Sequence, residues 1–94
     1  MVVVTYDEFG GQWDHVTPPG QGGRRGPHDV FGPGTRIPAL VISPFLRGRF
    51  VVDRTQYDTT SVVATIERRF HLAPLSTRDA AVHDLSRVFS ARRP

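Results

Sequence analysis

The sequence predicts an α/β fold. Three patterns point there: a β-branched and aromatic run over residues 2–6, a second apolar run over residues 37–43, and two stretches near the carboxyl end whose apolar residues recur at helical spacing. The 94 residues suffice for one domain of the usual about 50 to 200 residues and exclude two.

The opening run, Val2-Val3-Val4-Thr5-Tyr6, is continuously apolar or β-branched rather than alternating. Strands of that kind are covered on both faces, as in the interior of a parallel sheet, so neighbours on both sides are expected. The run stops at Asp7-Glu8-Phe9-Gly10-Gly11, where the two glycines permit a sharp bend. Residues 18–38 hold six glycines and five prolines, a density at which neither helix nor ladder propagates, so a long loop is expected. Such a loop in a compact domain belongs to a site more often than to a scaffold. The second apolar run has Pro38 at its beginning, where a missing N–H is tolerated, and it ends at Pro44. A short extended piece is expected over residues 49–53, following Gly48.

The clearest helix is expected over about residues 59–71. Val62, Val63, Ile66 and Phe70 form one apolar stripe there, predicted to pack into the core. Asp58 or Thr59 can cap its start. Arg68, Arg69 and His71 place positive charge against its last carbonyls, and Pro74 enforces the exit. A second helix is signalled by Ser76-Thr77-Arg78-Asp79, a serine followed three residues later by an acid, with Ala81, Leu85, Val88 and Phe89 as its buried side. The tail over residues 91–94 is expected to fray. Three candidate strands make a poor sheet, so the chain reads as part of a larger one, an incomplete domain.

Composition removes several functions. There is no cysteine, so disulfides, thiolate metal sites and cysteine nucleophiles are excluded. All twelve basic residues are arginine, which excludes a lysine Schiff base and the lysine of a phosphate-binding P-loop. The net charge of +3 is spread in pairs such as Arg24-Arg25, Arg68-Arg69 and Arg92-Arg93. Dispersed pairs read as solvated faces, so nucleic acid is not expected as a partner. No run approaches the roughly 18 apolar residues of a spanning helix, and no transmembrane segment is expected. Asp7 and Glu8 interrupt the apolar start before it reaches the length of an export core, so no signal is expected in this stretch. Neither Ser43 nor Ser61 lies in the Gly-x-Ser-x-Gly turn of a serine hydrolase.

The candidates for chemistry cluster after the first strand. In open α/β sheets ligands gather beyond the carboxyl ends of strands, where Asp7 and Glu8 would lie. Paired carboxylates offer hard oxygen ligands to a divalent cation, and both can reach one ion where the strand bends. A solvated acidic turn is the alternative. His15, in Trp13-Asp14-His15-Val16, suits a metal ligand, a proton donor to a leaving oxygen, or a hydrogen-bonded loop residue. His28 is a weaker candidate, and His71 and His83 read as structural.

Four collinear blocks then become specific. The stretch from Val3 through Asp7-Glu8-Phe9-Gly10-Gly11 and Asp14-His15-Val16 to Pro18-Pro19 resembles a segment of the bacterial phosphoesterase family that contains phosphatidylcholine-type phospholipase C and the related acid phosphatase. Gly34-Thr35-Arg36-Ile37-Pro38 with Leu40-Val41-Ile42-Ser43-Pro44 resembles a strand of that family. Tyr57-Asp58-Thr59-Thr60-Ser61 with Ile66-Glu67-Arg68-Arg69-Phe70 resembles its following helix, and Pro74-Leu75 with Arg78-Asp79-Ala80-Ala81 and Asp84-Leu85 resembles its ending.

The resemblance implies an alkaline-phosphatase-like sheet with flanking helices and hydrolysis of phosphoric esters, with a phosphate ester or phospholipid as substrate. Asp7 and Glu8 match the family's acidic metal-binding pair, so a divalent metal ion is the expected cofactor. His15 matches a histidine near the substrate end, for binding or leaving-group protonation. Phe9 departs from the histidine or other polar residue often found at its position. Residues 1–94 correspond to the carboxyl-terminal segment alone. The family's early Glu-Asn ligands and its hydroxyl nucleophile are expected upstream, and without them no phosphoryl-enzyme can form. The chain is therefore expected to be a fragment, an inactive remnant, or a module that complements a missing amino-terminal polypeptide through an exposed sheet edge. Many members of such families are exported.

Overall fold

In a computed structural model of the chain, the described residues are 1–7, 15–19, 33–48 and 50–91. β1, Val2–Thr5, pairs antiparallel with β2, Ala39–Ile42, and α1, Ser61–Phe70, precedes the short α2, Thr77–Ala81, and a 3₁₀ helix, Leu85–Phe89. This is a two-stranded sheet with helices, compatible with part of an α/β domain. α1 packs against α2 and against the 3₁₀ helix.

The expected parallel, doubly covered first strand is corrected by this pairing. The ladder aligns Val2 with Ile42, Val3 with Val41, Val4 with Leu40 and Thr5 with Ala39. Residues directly opposite share a face, so Val2, Val4, Leu40 and Ile42 lie together, and all four are exposed. A continuous β-branched run satisfies two covered faces only where a second layer exists, and none of the described residues supplies one over this face. The expected extended piece over 49–53 forms no strand among residues 50–53, and Arg49 lies outside the described residues. Of the expected loop over 18–38, residues 20–32 lie outside them too. The remainder, residues 18–19 and 33–38, forms neither helix nor strand.

α1 forms close to where predicted, starting two residues later and ending one earlier, and its N-cap position is Thr60, which makes no side-chain cap bond, rather than Asp58 or Thr59. His71 takes a left-handed conformation (φ 55°, ψ 40°), and its N–H and that of Leu72 both turn back to the Glu67 carbonyl. A non-glycine residue accepts that conformation at a cost of roughly 1 kcal/mol, here in return for closing the helix end. The predicted burial of the stripe does not hold. Ile66 is 49% and Phe70 64% exposed, Val62 is exposed too, and the buried positions are Ser61, Ala64 and Glu67. At 3.6 residues per turn these three lie on nearly the opposite side from the stripe.

The reason is that α1 is held by polar contacts rather than apolar packing. Ser61 Oγ accepts the Asp58 N–H at 2.9 Å. Thr65 Oγ1 donates to the Ser61 carbonyl at 2.6 Å and accepts the Leu85 N–H at 2.9 Å. Small residues on that side let the following segments approach closely, and among the described residues of the helical segment the buried apolar side chains are Ala64 and Leu85.

The second predicted helix is two pieces. Ser76 caps α2 by accepting the Arg78 N–H at 3.2 Å, and its hydroxyl donates to Asp79. At Val82 the backbone becomes extended (φ −80°, ψ 158°), and Asp84 then starts the 3₁₀ helix by accepting the Ser86 N–H at 2.9 Å. An aspartate with an extended backbone favours such a cap over continuing a helix. Leu85 is buried as predicted, whereas Ala81 is exposed.

Two acids fix the helical segment. Asp58 accepts the Thr60 N–H at 3.1 Å and its hydroxyl at 2.6 Å, and receives Arg78 Nε at 3.0 Å and Nη2 at 2.8 Å on its two oxygens. Burial alone would raise its pKa, but Arg78 and Thr60 prevail and hold it below the ordinary value. Glu67 and Asp79, only 5% and 3% exposed, both accept the Leu75 N–H, at 3.1 and 2.7 Å. Burial and the Asp79 carboxylate push Glu67 up, with Arg68 opposing. The Ser76 hydroxyl, helped by the Leu75 N–H and by Glu67, holds Asp79 down at about 2.

Removing Asp58 leaves the Arg78 guanidinium without its carboxylate in a site largely withdrawn from water. Asp58→Ala should destabilise the chain by about 3 kcal/mol, read from urea unfolding followed by circular dichroism. The carboxyl pair has its own signature. The Glu67 contribution is complete below its ordinary 4.5 and fades as pH rises through its raised value, while that of Asp79 is complete above 3.8 and fades as pH falls toward 2. The pair's joint contribution to the melting temperature should therefore be greatest near pH 4, between those two ordinary values. Glu67→Gln should flatten the decline on the alkaline side and leave the acid side in place; an unchanged alkaline decline would refute the upward shift of Glu67.

Candidate functional site

The end of β1 is where the expected site begins. Thr5 closes the ladder opposite Ala39, and its hydroxyl donates to the Pro38 carbonyl at 2.8 Å, tying the end of β1 to the approach of β2. Asp7, two residues beyond, is exposed, and the antiparallel register brings Arg36, three residues before β2, to the same end of the sheet. Glu8 lies outside the described residues, so the acidic pair is seen through Asp7 alone. His15 is exposed at the start of residues 15–19, in which Pro18 is buried. Among the described residues no group of three or more His, Asp or Glu side chains is gathered as a cation site. The donor chemistry of Asp7 suits a hard divalent ion, since carboxylate oxygens are hard ligands. His28 also lies outside the described residues. His71 and His83 are exposed, His71 as the helix cap.

Several other ionisable residues among those described are engaged in the scaffold. Tyr57 donates its hydroxyl to Asp53 at 2.6 Å, and Asp53 also accepts the Thr55 N–H at 2.9 Å. Burial and this acid push the Tyr57 phenol up to about 12, so it stays a neutral donor and does not serve as a nucleophile near neutrality. Burial would raise Asp53, but the bonds from Tyr57 and Thr55 outweigh it and hold the acid below its ordinary value. Arg68 donates to the Val82 carbonyl at 2.9 Å, to the Ala80 carbonyl at 3.3 Å and to Asp84 at 3.2 Å. The Ser86 hydroxyl and then Arg68 draw Asp84 below its ordinary value, with burial opposing them. Arg68 thus serves carbonyls of the next segment rather than those of its own helix. Arg69 instead lies 5.5 Å from the centre of the Phe70 ring.

Sequence reasoning offered Asp58 only as a helix cap and Asp79 only as the acid of the second helix's start, and it gave Glu67 and Arg78 no bonding role in the scaffold. The available signal was the spacing of Ser61, Ala64 and Glu67, which puts small residues and one acid on a single helical side.

Comparison with known proteins supplies the kinship. The family model described as Phosphoesterase family matches residues 1–73. Phospholipase C A of Mycobacterium tuberculosis is 38% identical over 116 residues, a match covering 99% of this chain and 22% of that protein. Phospholipase C B of the same organism is 39% identical over 116 residues, with the same coverage of 99% and 22%. Non-specific phospholipase C6 of Arabidopsis thaliana is 35% identical over 98 residues, covering 85% of this chain and 19% of its own. No solved structure matches. The chain spans about a fifth of the length of these relatives. With most of its residues matched by the family model and essentially all of them aligned to proteins named phospholipase C, the chain belongs to the phosphoesterase family.

Proposed function

We propose that the chain supplies the acidic, metal-binding portion of a phosphoric-ester hydrolase of the phospholipase C or acid phosphatase type, acting on a phospholipid or another phosphate ester. Residues 1–94 then form the carboxyl-terminal segment of an alkaline-phosphatase-like domain, with 18–38 as its Gly/Pro-rich loop. The observation that carries this reading is the alignment of 99% of the chain with a protein named phospholipase C, with Asp7 two residues beyond β1.

Asp7 and Glu8 would hold a divalent ion, which when bound polarises a phosphoryl oxygen and stabilises charge that develops there. Asp7 contributes an accessible carboxylate. His15 binds the ester or delivers a proton to its leaving oxygen. Arg36, at the same end of the sheet as Asp7, offers a guanidinium that can meet a phosphate through two parallel hydrogen bonds.

A second reading is favoured by the exposed sheet face of Val2, Val4, Leu40 and Ile42. Here the chain is a non-catalytic module that complements an amino-terminal phosphoesterase polypeptide. Several hundred square ångströms of contiguous apolar surface mark an interaction site more often than a free surface.

Two measurements separate the readings. Under the first, the chain turns over p-nitrophenyl phosphate or phosphatidylcholine when a divalent metal is added, and Asp7→Ala returns the rate to background. Background rates in the unaltered chain favour the second. Calorimetric titration with manganese or zinc should show binding that weakens roughly tenfold or more in Asp7→Ala and in Glu8→Ala; equal affinity in all three proteins would remove the metal assignment.

A further inference from the structure

The outer side of α1 is chemically unlike the surface of a finished domain. A helix at a free surface shows polar residues to water and apolar ones to the core. In α1 this is reversed: Ser61, Ala64 and Glu67 are buried against the segments after the helix, while Val62, Ile66 and Phe70, at i, i+4 and i+8, are exposed in one stripe. Arg69 beside the Phe70 ring leaves it 64% exposed. Leu72 and Leu75, just past the helix, are exposed as well. The inward side is already occupied by the bonds from Leu75 and Leu85 to Glu67 and Thr65, so the helix cannot turn over to hide the stripe without breaking them.

We infer that the Val62, Ile66 and Phe70 stripe of α1 is the docking surface for the larger part of a phospholipase-C-type phosphoesterase domain. This rests on the complementing reading given above and assigns it to a helix face rather than a sheet edge. Three observations select the occupant. The stripe itself is apolar and uncharged, so it calls for an apolar groove of a folded protein. It falls within the residues matched by the family model, 1–73. The relatives that align with 99% of this chain devote only 22% of their length to the match, so the counterpart of α1 in them sits within a far larger body of protein. Two large side chains spaced one turn apart are the usual anchors of a helix laid in a groove.

The test is co-expression of the full chain with Mycobacterium tuberculosis phospholipase C A from which the matching stretch has been removed. That enzyme's own matching stretch, supplied as a separate polypeptide, is the positive control. The expected result is a soluble one-to-one complex. Ile66→Glu combined with Phe70→Glu should weaken it roughly thirtyfold or more, and His83→Ala should leave it unchanged. Ile66→Ala combined with Phe70→Ala should weaken it in the same direction, and circular dichroism of each variant checks that α1 persists. A complex that forms without phosphatidylcholine hydrolysis upholds the docking surface and removes the catalytic reading. Failure to form a complex overturns the inference, as does a complex indifferent to residues 66 and 70. Self-association of the chain, or binding to phosphatidylcholine vesicles, through those same two residues would overturn it in favour of that occupant.

Discussion

One carboxylate organises the helical segment. Asp58 receives four donors, two from Thr60 and two from Arg78, and thereby joins the turn that starts α1 to the first residues of α2. Its own N–H donates to Ser61 Oγ, so the acid sits in a network in which every nearby polar atom has a partner. Among the described residues no buried side-chain nitrogen or oxygen is left unsatisfied. A complete network of this kind resists rearrangement, because giving up one bond exposes the desolvation cost of the rest.

Polar latches matter here because the apolar core is so small. Ala64 and Leu85 alone could not determine how α1 lies against α2 and the 3₁₀ helix. The bonds of Asp58, Glu67, Thr65 and Arg68 do so by direction, since a hydrogen bond has a preferred angle and an apolar contact has none. The apolar side chains that would build a core in a larger domain, those of the sheet face and of the α1 stripe, are thereby left outward. Geometry and hydrophobic burial, joined in most domains of this size, are separated in this chain.

Much of the architecture was legible in the sequence. Residues 2–6 and 37–43 became the strands, the stripe of Val62, Ile66 and Phe70 located α1, and Ser76 with Asp79 marked the start of α2. What periodicity could not give was the side on which burial occurs. A stripe identifies a helix and its apolar face, but whether that face is covered depends on residues distant in sequence. The strand direction was missed for the same reason: a continuous apolar run says that both faces want cover and nothing about which partner arrives. The break at Val82 was decided by Asp84 preferring to cap, a local competition that the pattern of Ala81, Leu85 and Val88 concealed. Of the candidate site, Asp7 lies exposed two residues beyond β1, and Glu8 lies outside the described residues.

The two halves of the described structure also differ in how far along the chain their partners lie. Arg78 reaches Asp58 across 20 residues and Leu75 reaches Glu67 across eight. Val2 meets Ile42 only after the entire glycine- and proline-rich stretch has been brought round. Closing a longer loop costs more chain entropy, and the ladder's contacts reward that cost only once it has been met. The helical segment is therefore the less costly part to close and the ladder the more costly one. Asp7, just past the ladder's last pair, owes its place to the more costly of the two closures.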